Sequence, residues 1–361
     1  MPLRYLIDDA HAVKQAKLAL EAAGLFNKLE KIHKNDHGQF VVLLTLDTPI
    51  LDFPYEEYTT KNSDITHKMP KKYAVYPPMV LLSHPLESDD LSWLPSGCTH
   101  VAINQPIDDE NNAIRRPTNL KPLVGDFGPE PTPQTIENPT SDDFNRAFWC
   151  SATQNQIWQT WAPRHTMFSR GNITEKARIL HQFGDLSGTV VVDLYCGIGY
   201  FSLSYLRLGA TIIGWDINPW LIEGFRRALE NANYTYKVIY PGDPFDASEI
   251  DPHGTIRAFL FLESNEHCLQ RLGTGNAKLP ISHVNLGLLP LSKPLWPIAH
   301  QLALNSTSNT TNIHVHENVH KDDIESLGQS AAKSLAGALT QTTKVKTFAP
   351  DVWHVVYDIS R

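Results

Sequence analysis

One segment, Val190–Ser202, restricts the fold more than any other part of the sequence. Its residues are Val-Val-Val-Asp-Leu-Tyr-Cys-Gly-Ile-Gly-Tyr-Phe-Ser. Three consecutive valines predict a strand that is buried on both faces, as in a parallel sheet. Gly197 and Gly199 then predict a tight turn in which the backbone approaches a ligand, and a helix over 201–208 follows. This order predicts a Rossmann-like α/β domain with a mostly parallel sheet and helices on both faces.

A second acid follows one crossover later, at the end of the predicted strand 211–215. This acid is Asp216, and a helix over 221–231 comes after it. An acid at this position typically binds ribose hydroxyls. The turn lacks the third glycine of the dinucleotide fingerprint, so together with Asp193 before the turn it favours S-adenosylmethionine over NAD. The alternative is a βαβ turn with a purely structural role.

Two more predicted strands end in polar residues at the same edge of the sheet. Strand 257–262 leads to Asn265, a candidate for the polar edge of adenine or, alternatively, part of a helix cap. The fourth strand, within 283–290, carries Asn285 and Pro290, which either lie beside the transferable group of the cofactor or form a plain turn. The sequence alone leaves both pairs of alternatives open.

Upstream of the glycine turn, the segment 165–172 precedes a predicted helix over 174–182. Arg170 and Lys176 can each meet the cofactor carboxylate or an RNA phosphate. Solvated surface is the alternative for both residues, and for Lys176 it is the favoured one.

Histidines and cysteines do not predict a metal site. His314 and His316 share one face of a predicted strand without a third ligand set, so a hydrogen-bonded structural role is favoured. The four cysteines, at positions 98, 150, 196 and 268, include no C-x-x-C pair. This spacing predicts neither zinc nor a disulfide framework, and we expect reduced thiols, as in the cytosol.

The composition is that of a globular protein. The 361 residues are 42% hydrophobic and 19% charged, with a formal net charge of −8. The acidic balance argues against non-specific nucleic-acid binding but leaves room for a local basic patch. Because the N-terminus lacks the apolar core of a signal peptide and no apolar run can span a bilayer, we expect a soluble, cytoplasmic protein.

Shifts in composition predict three domains. Residues 1–60 are expected to form a small α+β module with one amphipathic helix and a strand. Residues 61–160 are expected to form an α+β linking domain that binds tRNA, with a long Pro-, Asn- and Gly-rich loop over 105–145 and a hairpin at 147–161. Residues 161–361 are expected to form the catalytic domain.

Several strings of residues resemble one family of RNA-modifying enzymes. They lie in Trp161–Asn172, Asp193–Phe201, Asp216–Pro219, Val284–Pro290 and Ala349–Val356. The most specific are Phe-Ser-Arg-Gly-Asn, Asn-Leu-Gly-Leu-Leu-Pro and Trp-His-Val-Val. On these strings the chain resembles the eukaryotic tRNA wybutosine-synthesising aminocarboxypropyltransferases, which are related to the tRNA guanine-37 N1-methyltransferases.

The resemblance implies a class I S-adenosylmethionine-dependent fold and a defined reaction. The 3-amino-3-carboxypropyl group of S-adenosylmethionine moves to a tricyclic guanosine derivative, 4-demethylwyosine, at position 37 of phenylalanine tRNA, and methylthioadenosine is released. A nucleophile attacks whichever carbon of the sulfonium is held in line with it, so a methyltransferase scaffold can carry out this transfer. The implied partner is the anticodon loop of this tRNA. We expect no metal, no membrane contact and no obligate protein partner.

The resemblance also assigns roles to residues. It places Ser169, Arg170 and Lys176 near the methionine arm, Asp216 at the ribose, Asn265 near adenine, Asn285 and Pro290 at the reacting carbon, and Asp193, Gly197, Gly199 and Phe201 beneath the cofactor. It suggests tRNA phosphates as the contacts of Lys71, Lys72, Arg115 and Arg116. For any one of these basic residues, solvated surface is the alternative.

The chain departs from the family pattern at Cys196, where alanine is common, at Asp216, where glutamate is common, and at Ser264, where aspartate is common. Two other functions fit the same fold. One is a guanine-37 N1-methyltransferase, disfavoured because the inserted pair Gly287-Leu288 separates the Asn-Leu and Pro of the fourth strand end. The other is a non-catalytic tRNA- or cofactor-binding protein, disfavoured because every cofactor position is filled.

Overall fold

The chain forms two compact units, residues 1–69 and 70–361. The computed structural model describes residues 3–22, 32–35, 38–43, 55–57, 70, 72–86, 90–103, 120–273 and 278–361. The domain boundaries predicted after residues 60 and 160 stay predictions.

The first unit is a small α+β module, as predicted. Its elements are β1 (Leu3–Ile7), α1 (Ala10–Ala22), β2 (His33–Lys34), β3 (Phe40–Leu43) and β4 (Tyr55–Glu57). The strand order is β2-β3-β1-β4, and each pair is antiparallel. Asp9 begins the helix because its carboxylate accepts a hydrogen bond from the Ala12 N–H at 2.8 Å. Helix and sheet enclose a small apolar core that includes Tyr5 and Leu20.

The second unit begins with a four-stranded sheet. Its strands are β5 (Tyr73–Tyr76), β6 (Met79–Leu82), β7 (His100–Ile103) and β8 (Lys121–Val124), in that order across the sheet. The β6–β7 pair is parallel and the other two pairs are antiparallel.

The predicted loop over 105–145 is wrong in its second part. Residues 104–119 lie outside the described residues, but the remainder contains β8 and the short helices α2 (Pro133–Glu137) and α3 (Ser141–Arg146). Each helix begins with a capping box, formed by Thr132 and by Thr140. Each cap satisfies backbone N–H groups of the first turn and so stabilises the start of its helix. The Pro-rich segment therefore contains two short helices where the composition predicted an irregular loop.

The predicted hairpin and the helix after it are both confirmed. Strands β9 (Cys150–Gln154) and β10 (Ile157–Trp161) pair antiparallel across Asn155 and Gln156, which both have positive φ. Helix α4 (Ile173–Gln182) follows a short 3-10 turn.

From residue 190 onward the described residues form one eight-stranded sheet flanked by helices. Its elements in chain order are β11 (Val190–Asp193), α5 (Ser202–Arg207), β12 (Thr211–Asp216), α6 (Pro219–Asn231), β13 (Tyr236–Ile239), β14 (Ala258–Leu262), α7 (Cys268–Arg271), β15 (Ile281–Leu286), α8 (Trp296–Asn305), β16 (Asn312–His320), α9 (Ile324–Ser334), β17 (Ala338–Ala349) and β18 (Val352–Ser360). The strand order is β13-β14-β12-β11-β15-β16-β18-β17.

The sheet is parallel apart from the two pairs that contain β18. Val190 and Val192 belong to one apolar cluster and Val191 to another, because successive residues of a strand face opposite sides of the sheet. Both faces are therefore covered, and the predicted Rossmann-like α/β fold is confirmed.

The strand order reverses at β11, which has β12 on one side and β15 on the other. In open α/β sheets ligands bind at such a switch point, outside the carboxyl ends of the strands. Asp193 at the end of β11 pairs in register with Asn285 of β15. The fold thus places Asp193, Asp216 and Asn285 on neighbouring strands at one edge of the sheet.

Candidate active site

The glycine turn after β11 lies at this switch point. Gly197 and Gly199 have positive φ angles of 53° and 77°, which residues other than glycine rarely adopt. A Cβ at Gly199 would lie 2.6 Å from the ring of Phe225 on α6. The turn therefore requires glycine for its own backbone and for packing against α6, in addition to the ligand approach that the sequence predicts.

Asp193 is wholly buried and organises this turn. Its carboxylate accepts hydrogen bonds from Ser202 Oγ at 2.6 Å and from the Tyr195 N–H at 3.3 Å. Burial raises the pKa of Asp193 to about 6. These bonds tie the end of β11 to the first residue of α5, so Asp193 fixes the conformation of the turn.

Asp216 ends β12 beside the same turn. Its two carboxylate oxygens accept hydrogen bonds from the Gly197 N–H at 3.1 Å and from the Asn218 N–H at 2.8 Å. Burial raises the pKa of Asp216 to about 6. Each oxygen of an ionised carboxylate can accept a second hydrogen bond, so Asp216 retains capacity for ribose hydroxyls.

Lys176 differs most from its prediction, since it is 0% exposed and not on the solvated surface. Its Nζ donates to Oε1 of Gln154 at 3.0 Å and to Oε1 of Gln159, and it lies 5.2 Å from the centre of the Phe168 ring. Burial lowers the pKa of Lys176 to about 7. The prediction of solvated surface is wrong because the β9–β10 hairpin covers this face of α4.

The Lys176 amine makes no ion pair with a carboxylate anywhere in the described ranges. A buried ammonium that meets only neutral acceptors is costly, and a nearby anion favours its charged form. The predicted contact of Lys176 with the cofactor carboxylate stays a prediction.

Ser169 connects the loop before α4 to two other parts of the unit. Its backbone N–H donates to Tyr200 Oη at 3.4 Å, directly after the glycine turn. Its hydroxyl accepts a hydrogen bond from Lys346 Nζ at 3.2 Å. Lys346 lies on β17, far away in sequence, and no motif in the sequence indicates it.

Arg170 is exposed and lines a cleft of 560 Å³ together with Lys72 and the aromatic residues Tyr73 and Tyr76. Burial raises the pKa of Tyr76, and the neighbouring charge of Arg170 opposes this shift. The cleft thus combines two cations with two aromatic rings.

The two predicted asparagines have different surroundings. Asn265 donates its Nδ2–H to the Leu194 carbonyl at 2.6 Å, which holds the backbone after β11. Asn285 is buried, and its Oδ1 accepts a hydrogen bond from Tyr205 Oη at 3.4 Å. The side chain of Ser264, and not that of Asn265, caps the turn that follows β14. The assignments to adenine and to the reacting carbon stay predictions.

Pro290 follows β15 in the chain, and Phe201 directly precedes α5. Pro290 is exposed, and its carbonyl accepts a hydrogen bond from the Asn318 N–H at 3.0 Å. Phe201 is buried at the start of α5, with its ring 4.9 Å from that of His316. The predicted contact of Phe201 with the cofactor and that of Pro290 with the reacting carbon stay predictions.

The histidines of β16 have structural partners, as predicted. His314 Nδ1 lies 2.7 Å from the Asp358 carboxylate, and its Nε2 lies 2.9 Å from His283 Nδ1. His316 Nδ1 lies 3.0 Å from His354 Nε2. Within the described part of the chain, no group of three or more His, Cys, Asp or Glu side chains is arranged to hold a metal.

Three of the four predicted tRNA contacts, Lys71, Arg115 and Arg116, lie outside the described residues. The fourth, Lys72, is exposed at the cleft. Among the helices that the structure describes, none is long and apolar enough to cross a membrane.

The site as a whole fits S-adenosylmethionine. An acid with spare acceptor capacity ends β12, where ribose hydroxyls bind in this fold. Lys176 supplies a buried amine without a carboxylate partner. Left-handed glycines form the turn that leads from β11 to α5.

The comparisons with known proteins agree with this site. The family model described as the TRM5/TYW2 methyltransferase domain matches residues 160–252. The tRNA wybutosine-synthesizing protein 2 of Schizosaccharomyces pombe is 37% identical over 341 residues, which cover 87% of this chain and 78% of that protein. The chain belongs to the tRNA wybutosine-synthesizing protein 2 family. The family member from Saccharomyces cerevisiae is 35% identical and covers 82% of this chain. The resemblance seen in the sequence is confirmed.

A solved structure shares the fold of this family member. The complex of aTrm5 with tRNALeu aligns over 100% of this chain and 99% of that chain, with a TM-score of 0.54 and 17% sequence identity. At this identity the likeness supports the fold.

Proposed function

We propose that this chain transfers the 3-amino-3-carboxypropyl group of S-adenosylmethionine to 4-demethylwyosine at position 37 of phenylalanine tRNA, with release of methylthioadenosine. The observation that carries the proposal is the relationship to tRNA wybutosine-synthesizing protein 2 across 87% of the chain. The filled cofactor positions around the glycine turn favour an active enzyme over a binding protein without turnover.

S-adenosylmethionine, when bound, supplies a sulfonium whose carbon substituents are electrophilic. The residues of the chain bind and orient. Asp216, when ionised, accepts hydrogen bonds from ribose hydroxyls. Lys176, when protonated, holds the carboxylate of the methionine arm, since an anion relieves the cost of burying its charge. Held at the ribose and at the carboxylate, the cofactor would have a fixed orientation, and in-line attack on one carbon of the sulfonium requires such an orientation.

We propose that the tRNA anticodon loop reaches the cleft beside Arg170 and Lys72. Cations bind phosphates without reading sequence, and aromatic rings stack on bases that have left the helix. Both kinds of side chain line this cleft. We further propose that the protein acts in the cytoplasm, where its four free, buried cysteines would stay reduced.

Mass spectrometry of the products tests the proposal. The purified chain is incubated with S-adenosylmethionine and phenylalanine tRNA that carries the tricyclic precursor. We expect methylthioadenosine and a tRNA that is heavier by one aminocarboxypropyl group. The matched control is Lys176→Met, which should retain the fold and lose affinity for S-adenosylmethionine.

Two other results would overturn the proposal in different ways. S-adenosylhomocysteine as the product would establish methyl transfer by the same fold and cofactor. Cofactor binding without either product would establish a binding protein or a different acceptor.

A further inference from the structure

Strand β17 carries two β-bulges at the end nearest the active site. Its register with β18 shifts between Lys344 and Lys346 and again between Thr347 and Ala349, so Val345 and Phe348 are extra residues. A bulge re-aims the side chains around it and is common next to functional sites. Phe348 is 57% exposed, and its ring stacks on no other ring in the described part of the chain.

Lys346, between the bulges, turns towards the active site. Its Nζ donates to Ser169 Oγ at 3.2 Å, and its stem covers Gly171, where a Cβ would lie 2.5 Å from the Lys346 Cδ. The side chain is partly buried and makes no ion pair with a carboxylate of the described residues, and this burial lowers the pKa of Lys346. Lys344 has only the Trp353 ring as a partner among these residues, at 5.2 Å.

Two series of side-chain contacts connect the bulged end of β17 to the residues around the glycine turn. One runs through Ser169, whose N–H donates to Tyr200 Oη. The other runs through His354, which lies opposite Lys346 in register and contacts His316, whose ring lies 4.9 Å from that of Phe201. A molecule bound at this end of the strand therefore lies beside the active site.

We propose that Lys344, Lys346 and Phe348 bind a single-stranded segment of the tRNA substrate next to the target nucleoside. Phe348 stacks on an unpaired base, and the two lysines contact backbone phosphates. β17 is the edge strand of its sheet, so an exposed aromatic ring and two cations, neither with a carboxylate partner among the described residues, lie along one open edge. Single-stranded nucleic acid is recognised by such a combination of stacking ring and cations. A chain with a net charge of −8 needs such a local cationic surface to hold RNA. The RNA partner in this inference rests on the proposed function.

Binding measurements without turnover test the inference. The affinity for phenylalanine tRNA is measured at several salt concentrations for Phe348→Ala, Lys344→Ala and Lys346→Met, the last of which keeps an apolar stem over Gly171. The controls are Leu304→Ala, which removes an equally exposed apolar side chain from α8 (52% exposed), and Lys333→Ala, which removes an exposed cation from α9.

We expect Phe348→Ala to weaken tRNA binding about tenfold with an unchanged salt slope, because stacking is not ionic. Each lysine variant should reduce the slope by about one unit. Affinity of Phe348→Ala for S-adenosylmethionine should equal that of the wild type.

Wild-type tRNA affinity in all three variants would overturn the inference. A change in self-association of Phe348→Ala without a change in tRNA affinity would also overturn it, and would assign the surface to contacts between copies of the chain. Failure of the proposed function has a different signature, namely tRNA binding by the wild type without methylthioadenosine.

Discussion

Replacement of Lys176 by methionine should change how the stability of the protein depends on pH. The ordinary lysine pKa is 10.5, and burial lowers that of Lys176 to about 7. Between these two values the unfolded chain binds a proton that the folded chain does not bind, so the folded protein gains stability as the pH rises. Each pH unit over which the unfolded chain holds one extra proton adds about 1.4 kcal/mol to the free energy of unfolding. The Lys176 amine is half-protonated in the folded chain at pH 7, so the gain from pH 7 to pH 9 is about 2 kcal/mol.

The assay is urea unfolding of the wild type and of Lys176→Met at pH 7 and pH 9, without S-adenosylmethionine. Methionine keeps most of the length of the side chain and has no charge. It leaves the acceptors of Gln154 and Gln159 without a donor, which costs stability at both pH values equally. All other titrating groups are common to the two proteins, so the difference between their pH dependences reports Lys176.

The expected result is that the wild type gains about 2 kcal/mol more than the variant between the two pH values. Equal gains in both proteins would refute the reasoning, because they would mean that the Lys176 amine keeps an ordinary pKa. The unfolding slope with urea checks that the variant exposes the same surface as the wild type.

Three further predictions concern the rest of the site. Affinity for S-adenosylmethionine should fall about fivefold from pH 7 to pH 5, because the roughly tenfold loss of ionised Asp216, whose pKa is about 6, outweighs the roughly twofold gain of protonated Lys176, whose pKa is about 7. Calorimetry on Asp216→Asn should show weaker binding that no longer falls towards pH 5, and an unaltered pH profile would contradict this. Gly199→Ala should destabilise the protein by about 2 kcal/mol, because φ is +77° and the new Cβ would lie 2.6 Å from Phe225; the control Gly184→Ala, where no atom lies within 4 Å, should change thermal stability little. Asp358→Asn should cost about 2 kcal/mol in urea unfolding, because the buried His314 loses its carboxylate partner while Arg178 loses one of its two carboxylates and keeps Glu175. A loss typical of a surface pair would show that this network contributes little.

Much of the catalytic fold could be predicted from the sequence, because each local signal agreed with the next. The valine run, the glycine turn and Asp216 are consecutive parts of one βαβ unit, and their order fixes the topology around the switch point. The secondary structure of the segment after Gly128 was predicted wrongly. Its proline content suggests an irregular loop, whereas the capping threonines Thr132 and Thr140 begin helices, a signal that the sequence also contains.

Lys346 could not have been found in this way. It lies 177 residues from Ser169 in sequence, within an ordinary alternating strand pattern. Its place beside the cofactor loop follows from the antiparallel return of β18 and β17 at the sheet edge and from two bulges whose positions no sequence motif indicates.

The sequence by itself determined the Rossmann-like fold, the family and the chemical types of the groups predicted to meet S-adenosylmethionine. Such information is local, since periodicity, turns and strand-end acids act within a few residues. Only the tertiary structure decided how deeply those groups are buried and how far their pKa values shift. Lys176 looks like a surface lysine until the β9–β10 hairpin covers it. Asp193 and Asp216 acquire raised pKa values only when the sheet and helices bury them, Asp193 fully and Asp216 in part. Burial depends on contacts between segments far apart in the chain, and burial sets the cost of charge.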